Sequence, residues 1–364
     1  MTIDIAPARL AAVGDIFFGD HYFTLGHGIR SRLSGPEAPD MLREVAPVLA
    51  DADIVIGNLE GPLCHSSSQA SEIEKSAFRG VPEFTEVLKA ANFTHLNVAN
   101  NHSMQHGEAA FRETLDALAS SKLRVVGLDG SKDGYICSPV VEEVRGRRIC
   151  LLGYSNVPER YTTHPLYAHF EDEKPVVAEI AALSREFDEV IVSCHAGDEG
   201  LGVPSRRIVH MFEAFEAAGA RCVLGHHSHV FQPVVRTANG LIAYSLGNFV
   251  FDLLWDPDTL DSAILLVDLA PTELRSRLCV TEFSPAYRVK KQGDLAAARF
   301  SSQLEALGAE MRQINEPRYR QMLESYERRN GRRKNLFFLT HMLRGATSQK
   351  MAFLLGKLGR RTSA

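Results

Sequence analysis

What this chain lacks narrows it first. None of its six cysteines (Cys64, Cys137, Cys150, Cys194, Cys222 and Cys279) pairs with another as C-x-x-C, and they are scattered. That pattern argues against a disulfide framework and for buried thiols in a reducing compartment. No apolar run approaches the roughly 20 residues that span a bilayer. The opening stretch MTIDIAPARLAAVGD has neither a basic region nor an apolar core of the kind that directs export, so a cytoplasmic protein is expected. There is no internal repeat, no low-complexity linker and no base-readout motif, so nucleic acid is not an expected partner. Charge is also unevenly spread along the chain. Arg328 to Ala364 holds ten Lys or Arg and no Asp or Glu, which leaves the first 327 residues near −15 in a chain of net charge −5. The tail is therefore physically distinct from the body.

The rest of the composition is ordinary for a globular protein: 364 residues, 45% hydrophobic and 23% charged. Short apolar runs recur, and each ends in a polar cluster: RLAAVGD (9–15), ADIVIGNLE (52–60), THLNVANNH (94–102), DEVIVSCHAGDE (188–199) and RCVLGHHSH (221–229). Amphipathic helical patterns lie between them, at 38–50, 82–91, 107–121 and 205–219. Buried strands alternating with such helices predict an α/β fold. Two hairpins, turning at Arg145-Gly146 and Asn239-Gly240, predict a mixed and partly antiparallel arrangement. From about residue 293 the pattern is helical. The expected organisation is a body over 1–292 and a basic helical extension over 293–364, in which Leu336, Phe337, Leu339, Met342 and Leu343 are candidates to dock on the body. Gly345, Gly356 and Gly359 weaken any single long helix there.

In open α/β sheets ligands collect at the carboxyl ends of strands. The polar residues at those ends are good ligands for a divalent cation: Asp15; Asn58 and Glu60; Asn100, Asn101 and His102; His195, Asp198 and Glu199. The stretch GHHSHVFQP adds His226, His227 and His229 within four positions. Read as an extended segment, it points alternate residues the same way, so His227 and His229 can converge on one point. Neutral imidazole is the commonest nitrogen donor for a transition metal.

The ordered motifs GDIFFGD, GNLEGPL, VANNHSMQHG, HAGDE, GHHSHVFQP and YSLGNFVFD cover roughly residues 9 to 252. In that order they resemble the CapA (poly-γ-glutamate synthesis) family, similar in fold to the calcineurin-like metallophosphoesterases. The resemblance implies a four-layer α/β/β/α sandwich with two mixed sheets and a centre of two divalent metal ions. Asp15, Glu60, Asn101, His195, His227 and His229 would be the ligands, Glu60 bridging both ions, with His102 the acid that meets substrate. A mixed nitrogen and oxygen shell suits Mn, Fe, Co, Ni or Zn and suits Ca poorly. The chain departs from the pattern in three places. Asp15-Ile16-Phe17 stands where Asp-x-His is usual, leaving one ion short of a ligand unless Asp20 or His21 swings in. Ala196 replaces a common Trp, and Gln105-His106 replaces Asp-Tyr.

What the resemblance implies for activity is a metal-dependent enzyme acting on a peptidic, γ-glutamyl or polyglutamate-like chain. The alternatives are an epimerase that moves a Cα proton of a ribosomal, lasso-type peptide, a phosphoesterase, and a scaffold binding an anionic polymer. His102, Glu199, Asp198 and Cys64 are the candidate acid/base groups. The basic tail is a candidate contact for an acidic partner or a membrane surface.

Overall fold

The computed structural model describes residues 6–33, 38–271, 273–341, 343, 344, 347, 348 and 351. Among them are fourteen strands: β1 (Ala8–Ile16), β2 (Ile54–Leu59), β3 (His95–Asn97), β4 (Arg124–Val126), β5 (Val140–Val144), β6 (Arg147–Ser155), β7 (Glu189–His195), β8 (Ala220–His226), β9 (Val234–Arg236), β10 (Leu241–Ala243), β11 (Asn248–Val250), β12 (Asp261–Leu269), β13 (Leu274–Ser284) and β14 (Arg288–Lys291). The α-helices are α1 (Ile29–Leu33), α2 (Ala46–Leu49), α3 (Glu72–Ser76), α4 (Thr85–Ala90), α5 (Glu108–Ser120), α6 (Glu173–Leu183), α7 (Arg206–Ala217), α8 (Asp294–Gln313) and α9 (Glu316–His341).

The strands form two sheets. One has the order β14-β13-β12-β1-β2-β3-β4, with β11 beside the end of β1, and the other β5-β6-β7-β8-β10-β9. The period of two along a strand decides the layering. Leu10 and Ala12 of β1 and Ile54 and Ile56 of β2 face Ile149, Leu151, Ile191 and Leu224 of the other sheet. The residues between them, Ala11, Val13 and Val55, face outward onto Leu49, Leu88, Phe111 and Leu118 of the helices. On the second sheet Leu152, Val192 and Val223 face outward onto Val176, Ile180, Ile208 and Phe212. The result is the expected four-layer α/β/β/α sandwich. Caps fix the helix starts: the Ser205 side chain accepts from Ile208 N ahead of α7, and Asp172 accepts from Lys174 N ahead of α6.

Both predicted hairpins form, but differently. Arg145 and Gly146 make a two-residue turn with φ of 52° and 74°, joining β5 to β6. The second hairpin has Arg236 opposite Leu241, so its loop holds four residues, closed by Thr237 N donating to Gly240 O at 3.0 Å. The helix predicted over 38–50 is broken into a 3-10 turn at Ala38–Leu42 and the short α2, whose Pro47 is tolerated only in a first turn. The antiparallel run β12-β13-β14, which sequence reasoning did not anticipate, extends the first sheet on the far side of β1.

β14 ends at Lys291 and α8 begins at Asp294. Met311, Ile314, Tyr319 and Tyr326 of the extension join the outer core of the second sheet. Phe337 packs on Trp255 and Phe338 on Phe23. Leu336, Leu339 and Leu343 are instead 65%, 66% and 86% exposed, so the expectation that they dock is corrected. Met342, Gly345, Gly356 and Gly359 lie outside the described residues. No helix among the described residues is long and apolar enough to cross a membrane.

Candidate metal centre

The strands β1, β2 and β3 run parallel in the first sheet and β6, β7 and β8 run parallel in the second. Their carboxyl ends meet. Asp15 lies near the end of β1, Glu60 directly after β2, and Asn101 just past β3. From the other sheet, His195 ends β7, and His227 and His229 follow β8. Direct contacts join the two sides: His227 N donates to Asp15 Oδ2 at 3.2 Å, and His195 Nε2 is 2.9 Å from Asn101 Oδ1.

The convergence of His227 and His229 does not come from a pleated strand. β8 stops at His226, and both following histidines adopt positive φ, 88° and 59°. A tight turn places their ring centres 6.1 Å apart. Such backbone is costly for a residue with a Cβ and occurs where the surroundings force it, commonly at functional sites.

The donor atoms of Glu60, His227 and His229 lie within 4.8 Å of one another, and so do those of Asp15, Glu60 and His195. Glu60 belongs to both groups. Asp15 and Glu60 are 0% and 1% exposed. Both Glu60 oxygens and His227 Nδ1 are buried without a hydrogen-bond partner. A buried carboxylate with no partner is expensive, and a shared divalent cation removes that cost. The donor set therefore fits a metal centre: oxygen from Asp15, Glu60 and Asn101, nitrogen from His195, His227 and His229.

Electrostatics follow the same lines. Burial pushes the Asp15 carboxyl up, but hydrogen bonds from His226 and His229 and the charges of His226 and His195 hold it well below the usual range. Burial drives Glu60 well above its ordinary value, with Asp15 adding to the rise. His195 is pushed well down by burial, and His227 is pushed down to about 4 by burial and neighbouring His229. His229 goes the other way, to about 10, because Glu60 and Asp15 overcome the effect of burial. A proton held between Glu60 and His229 offsets part of the negative charge that these buried acids would carry. With a divalent cation offsetting that charge instead, His229 is free to be a neutral ligand.

Sequence placed Asn58 and His226 at the strand ends without their orienting role, and it did not single out Asn248. The Asn58 amide nitrogen lies 2.8 Å from Asp15 Oδ1 and 3.1 Å from His195 Nδ1, so it ties the two sheets together. Asn248 Oδ1 is 2.9 Å from His229 Nδ1, and His226 Nδ1 is 3.2 Å from Asp15 Oδ1. Such partners fix how ligands point. A strand-end amide close to a carboxylate, Glu60, was the available signal for Asn58.

The four acid/base candidates separate. His102 Nε2 lies 3.8 Å from Glu60 Oε1, at the edge of the cluster. Its Nδ1 donates to Gln105 Oε1 at 2.6 Å, which leaves Nε2 as the basic nitrogen. Burial lowers the His102 pKa, keeping the ring neutral. Glu199 is open to solvent although protein surrounds it. That crowding pushes its carboxyl up, and His229, His227, Lys334 and His102 more than offset it, so it lies below the usual range. Asp198 is differently occupied, since its Oδ2 accepts from the Tyr319 hydroxyl at 2.9 Å and it anchors α9. Cys64 donates to Ser66 O at 3.3 Å, burial pushes its thiol up to about 11, and the charges it feels are Arg79, Glu113 and Arg30. The structure thus brings His102 and Glu199 to the cluster and gives Asp198 and Cys64 other partners.

The departures from the family pattern resolve similarly. Asp20 does not swing in: it accepts from Gly26 N at 2.9 Å and Ser31 N at 3.1 Å. His21 Nδ1 accepts from Phe23 N at 3.2 Å, and its ring packs on Trp255. Phe17 stacks on Phe251, whose ring packs 4.8 Å from that of His229, so hydrocarbon lines this side of the centre. His106 bonds to Ala77 O and Ser67 Oγ and is structural.

A two-sheet α/β/β/α sandwich with nitrogen and oxygen donors gathered at its parallel strand ends defines the class: a protein built around a candidate divalent-metal centre. The sequence pattern of the family described as bacterial capsule synthesis protein PGA_cap matches residues 9–253, and the chain belongs to that family. It is 31% identical over 259 residues to the PGA biosynthesis protein CapA of Bacillus subtilis (strain 168), covering 70% of this chain and 65% of that one. It is also 31% identical over 266 residues to the capsule biosynthesis protein CapA of Bacillus anthracis, covering 70% of this chain and 62% of the relative. The matched region therefore spans less than two thirds of either relative. Among solved structures it is similar to calcineurin-like phosphoesterase YfkN from Bacillus subtilis, with a TM-score of 0.45 and 11% identity over 84% of this chain and 99% of that one. Likeness at that distance carries no argument about chemistry.

Proposed function

We propose that this protein is a divalent-metal-dependent enzyme that acts on a peptidic chain of the γ-glutamyl type by acid/base chemistry. One observation carries the reading: Glu60 is shared by two donor groups, and His102, outside both, presents its basic Nε2 3.8 Å from Glu60 Oε1. The substrate class follows the family resemblance, and the names of two relatives, a PGA biosynthesis and a capsule biosynthesis protein, support it. Bound divalent ions would act as Lewis acids toward a carbonyl or carboxylate oxygen and neutralise negative charge that develops there. His102, kept neutral by burial and oriented by Gln105, takes or gives the proton at Nε2. Glu199, ionised and reachable from solvent, is the second proton carrier. Phe17, Phe78 and Phe251 keep water from the side where the rings of Phe78 and His102 stack at 4.8 Å.

That pair of proton carriers also favours a second reading, epimerisation at Cα, which needs one group to remove a proton and another to return it. Incubating the metal-loaded protein with γ-glutamyl and ribosomal-type peptides in D2O, read by mass spectrometry, separates the two. Chain cleavage or transfer supports the first reading. Deuterium at Cα without cleavage selects the second, and neither outcome with metal bound refutes both.

A further inference from the structure

Helix α9 lies outside the family-matched residues, yet it reaches the rim of the centre. The Tyr319 hydroxyl holds Asp198, the residue before Glu199. The Tyr326 ring occupies the space beside Gly200, the residue after it. A Cβ at Gly200 would sit 1.8 Å from that ring, and its φ of 81° disfavours any side chain. The Tyr326 hydroxyl donates to Asp256 Oδ2 at 2.9 Å, Arg333 Nη1 lies 2.7 Å from Asp256 Oδ1, and Arg329 Nη2 lies 3.2 Å from Asp258 Oδ2. These bonds tie α9 to the loop that carries Glu199 and to the turn of Asp256 and Asp258, and they pair Arg329 and Arg333 with carboxylates. They also fix the backbone that carries the next residue, Lys334.

Lys334 is half-buried, its ammonium 5.9 Å from the ring centre of Trp255. Unlike Arg329 and Arg333, it has no carboxylate within 4 Å among the described residues. Its charge is nevertheless felt by Glu199, which also feels His229, His227 and His102. Trp255 in turn packs on His21, His21 on Phe78 and Phe78 on His102, with ring centres 4.7, 4.9 and 4.8 Å apart, so the ammonium stands on the His102 side of the centre without an ion-pair partner among the described residues. We propose that Lys334 is a substrate-binding residue that receives an anionic group of the substrate. On the reading given above, on which this detail rests, that group is a side-chain carboxylate of a glutamyl chain whose reacting bond lies near His102. The extension is then part of the active site and not an appendage, and it sets the preference for an acidic substrate.

Trp255 is the single tryptophan of the chain, so its fluorescence reports directly on Lys334. The full-length, metal-loaded protein is titrated with a γ-glutamyl hexapeptide, its fully amidated counterpart and inorganic phosphate, with equilibrium dialysis as a second readout. Lys334→Met keeps the aliphatic stem over Trp255 and removes only the charge. It should bind the acidic peptide about tenfold or more weakly, on the scale of one charge-assisted hydrogen bond, and the amidated peptide as before. Lys334→Arg should recover most of the loss, with metal content and melting temperature unchanged in both variants. Unaltered binding of the acidic peptide by Lys334→Met overturns the proposal, and so does an equal loss for the amidated one. If wild type ignores both peptides yet binds phosphate through Lys334, the anion site stands and the glutamyl substrate falls. If it binds none of the three probes, the proposal fails.

Discussion

The first sheet ends its parallel strands in oxygen donors, Asp15, Glu60 and Asn101, and the second ends its own in imidazoles, His195, His227 and His229. The two sides are not equivalent. The carboxylates are buried and need positive charge, whereas neutral imidazoles demand little. The oxygen side should hold the ions in place, and the nitrogen side should decide which ions are held. Neither sheet has a complete shell, so the centre exists only because the sandwich aligns two sets of strand ends.

Removing the ions tests that division most severely. Chelation should abolish turnover and lower the melting temperature by several degrees, because Asp15 and Glu60 are left facing each other without a cation. Readdition of Mn or Zn should restore both, and Ca should restore neither fully. Full recovery with Ca would mean that the imidazoles are not used. The next effect in size concerns a group on the oxygen side that is not a ligand. His102→Ala should lower turnover by about 10² or more while metal content is unchanged, and an equally active variant would remove His102 from the chemistry. Asn58 sits on the seam between the sides, touching Asp15 and His195. Asn58→Leu should cost roughly 10- to 100-fold in metal affinity, the scale of other orienting partners; unchanged affinity in a metal titration would show that the seam does not matter.

The smallest effect lies outside the centre and serves as its control. Burial pushes the Asp252 carboxyl from 3.8 up to about 7, with neighbouring Asp20 adding to the rise and a Thr24 hydrogen bond opposing it. The folded protein thus keeps a proton that the unfolded chain releases between those values. Stability contributed by this group is present below about pH 4 and is lost as pH rises toward 7. Asp252→Asn should flatten that slope in melting curves taken from pH 5 to 7.5 without altering metal content. A variant with the parent's slope would show that Asp252 does not carry it.

The strand ends were legible in the sequence because a buried strand is a short apolar run and its ligands follow directly, as in ADIVIGNLE and RCVLGHHSH. The layering was legible only through the family resemblance. The extra antiparallel strands were not read, although SAILLVDL in β12 is apolar. Its partner β13 carries Arg275, Ser276 and Arg277 in succession near its start, a stretch that β14 leaves unpaired, and such a polar run gives a weak strand signal. The roles of Asp198 and Lys334 could not be read at all, because Tyr319 is 121 residues from Asp198 and Trp255 is far in sequence from Lys334. Long-range pairing of this kind depends on how α9 docks. For His227 and His229 the convergence was foreseen but not its cause, which is a positive-φ turn and not strand pleating.

The claim that Glu60 joins both sides of the centre is tested most directly by metal stoichiometry, measured by inductively coupled plasma mass spectrometry on the purified protein and two variants. The account predicts two ions per chain in the parent and at most one in His227→Ala, which damages a single donor group. It predicts none in Glu60→Ala, which damages both. A Glu60→Ala protein that keeps even one ion at the parent's affinity would contradict it.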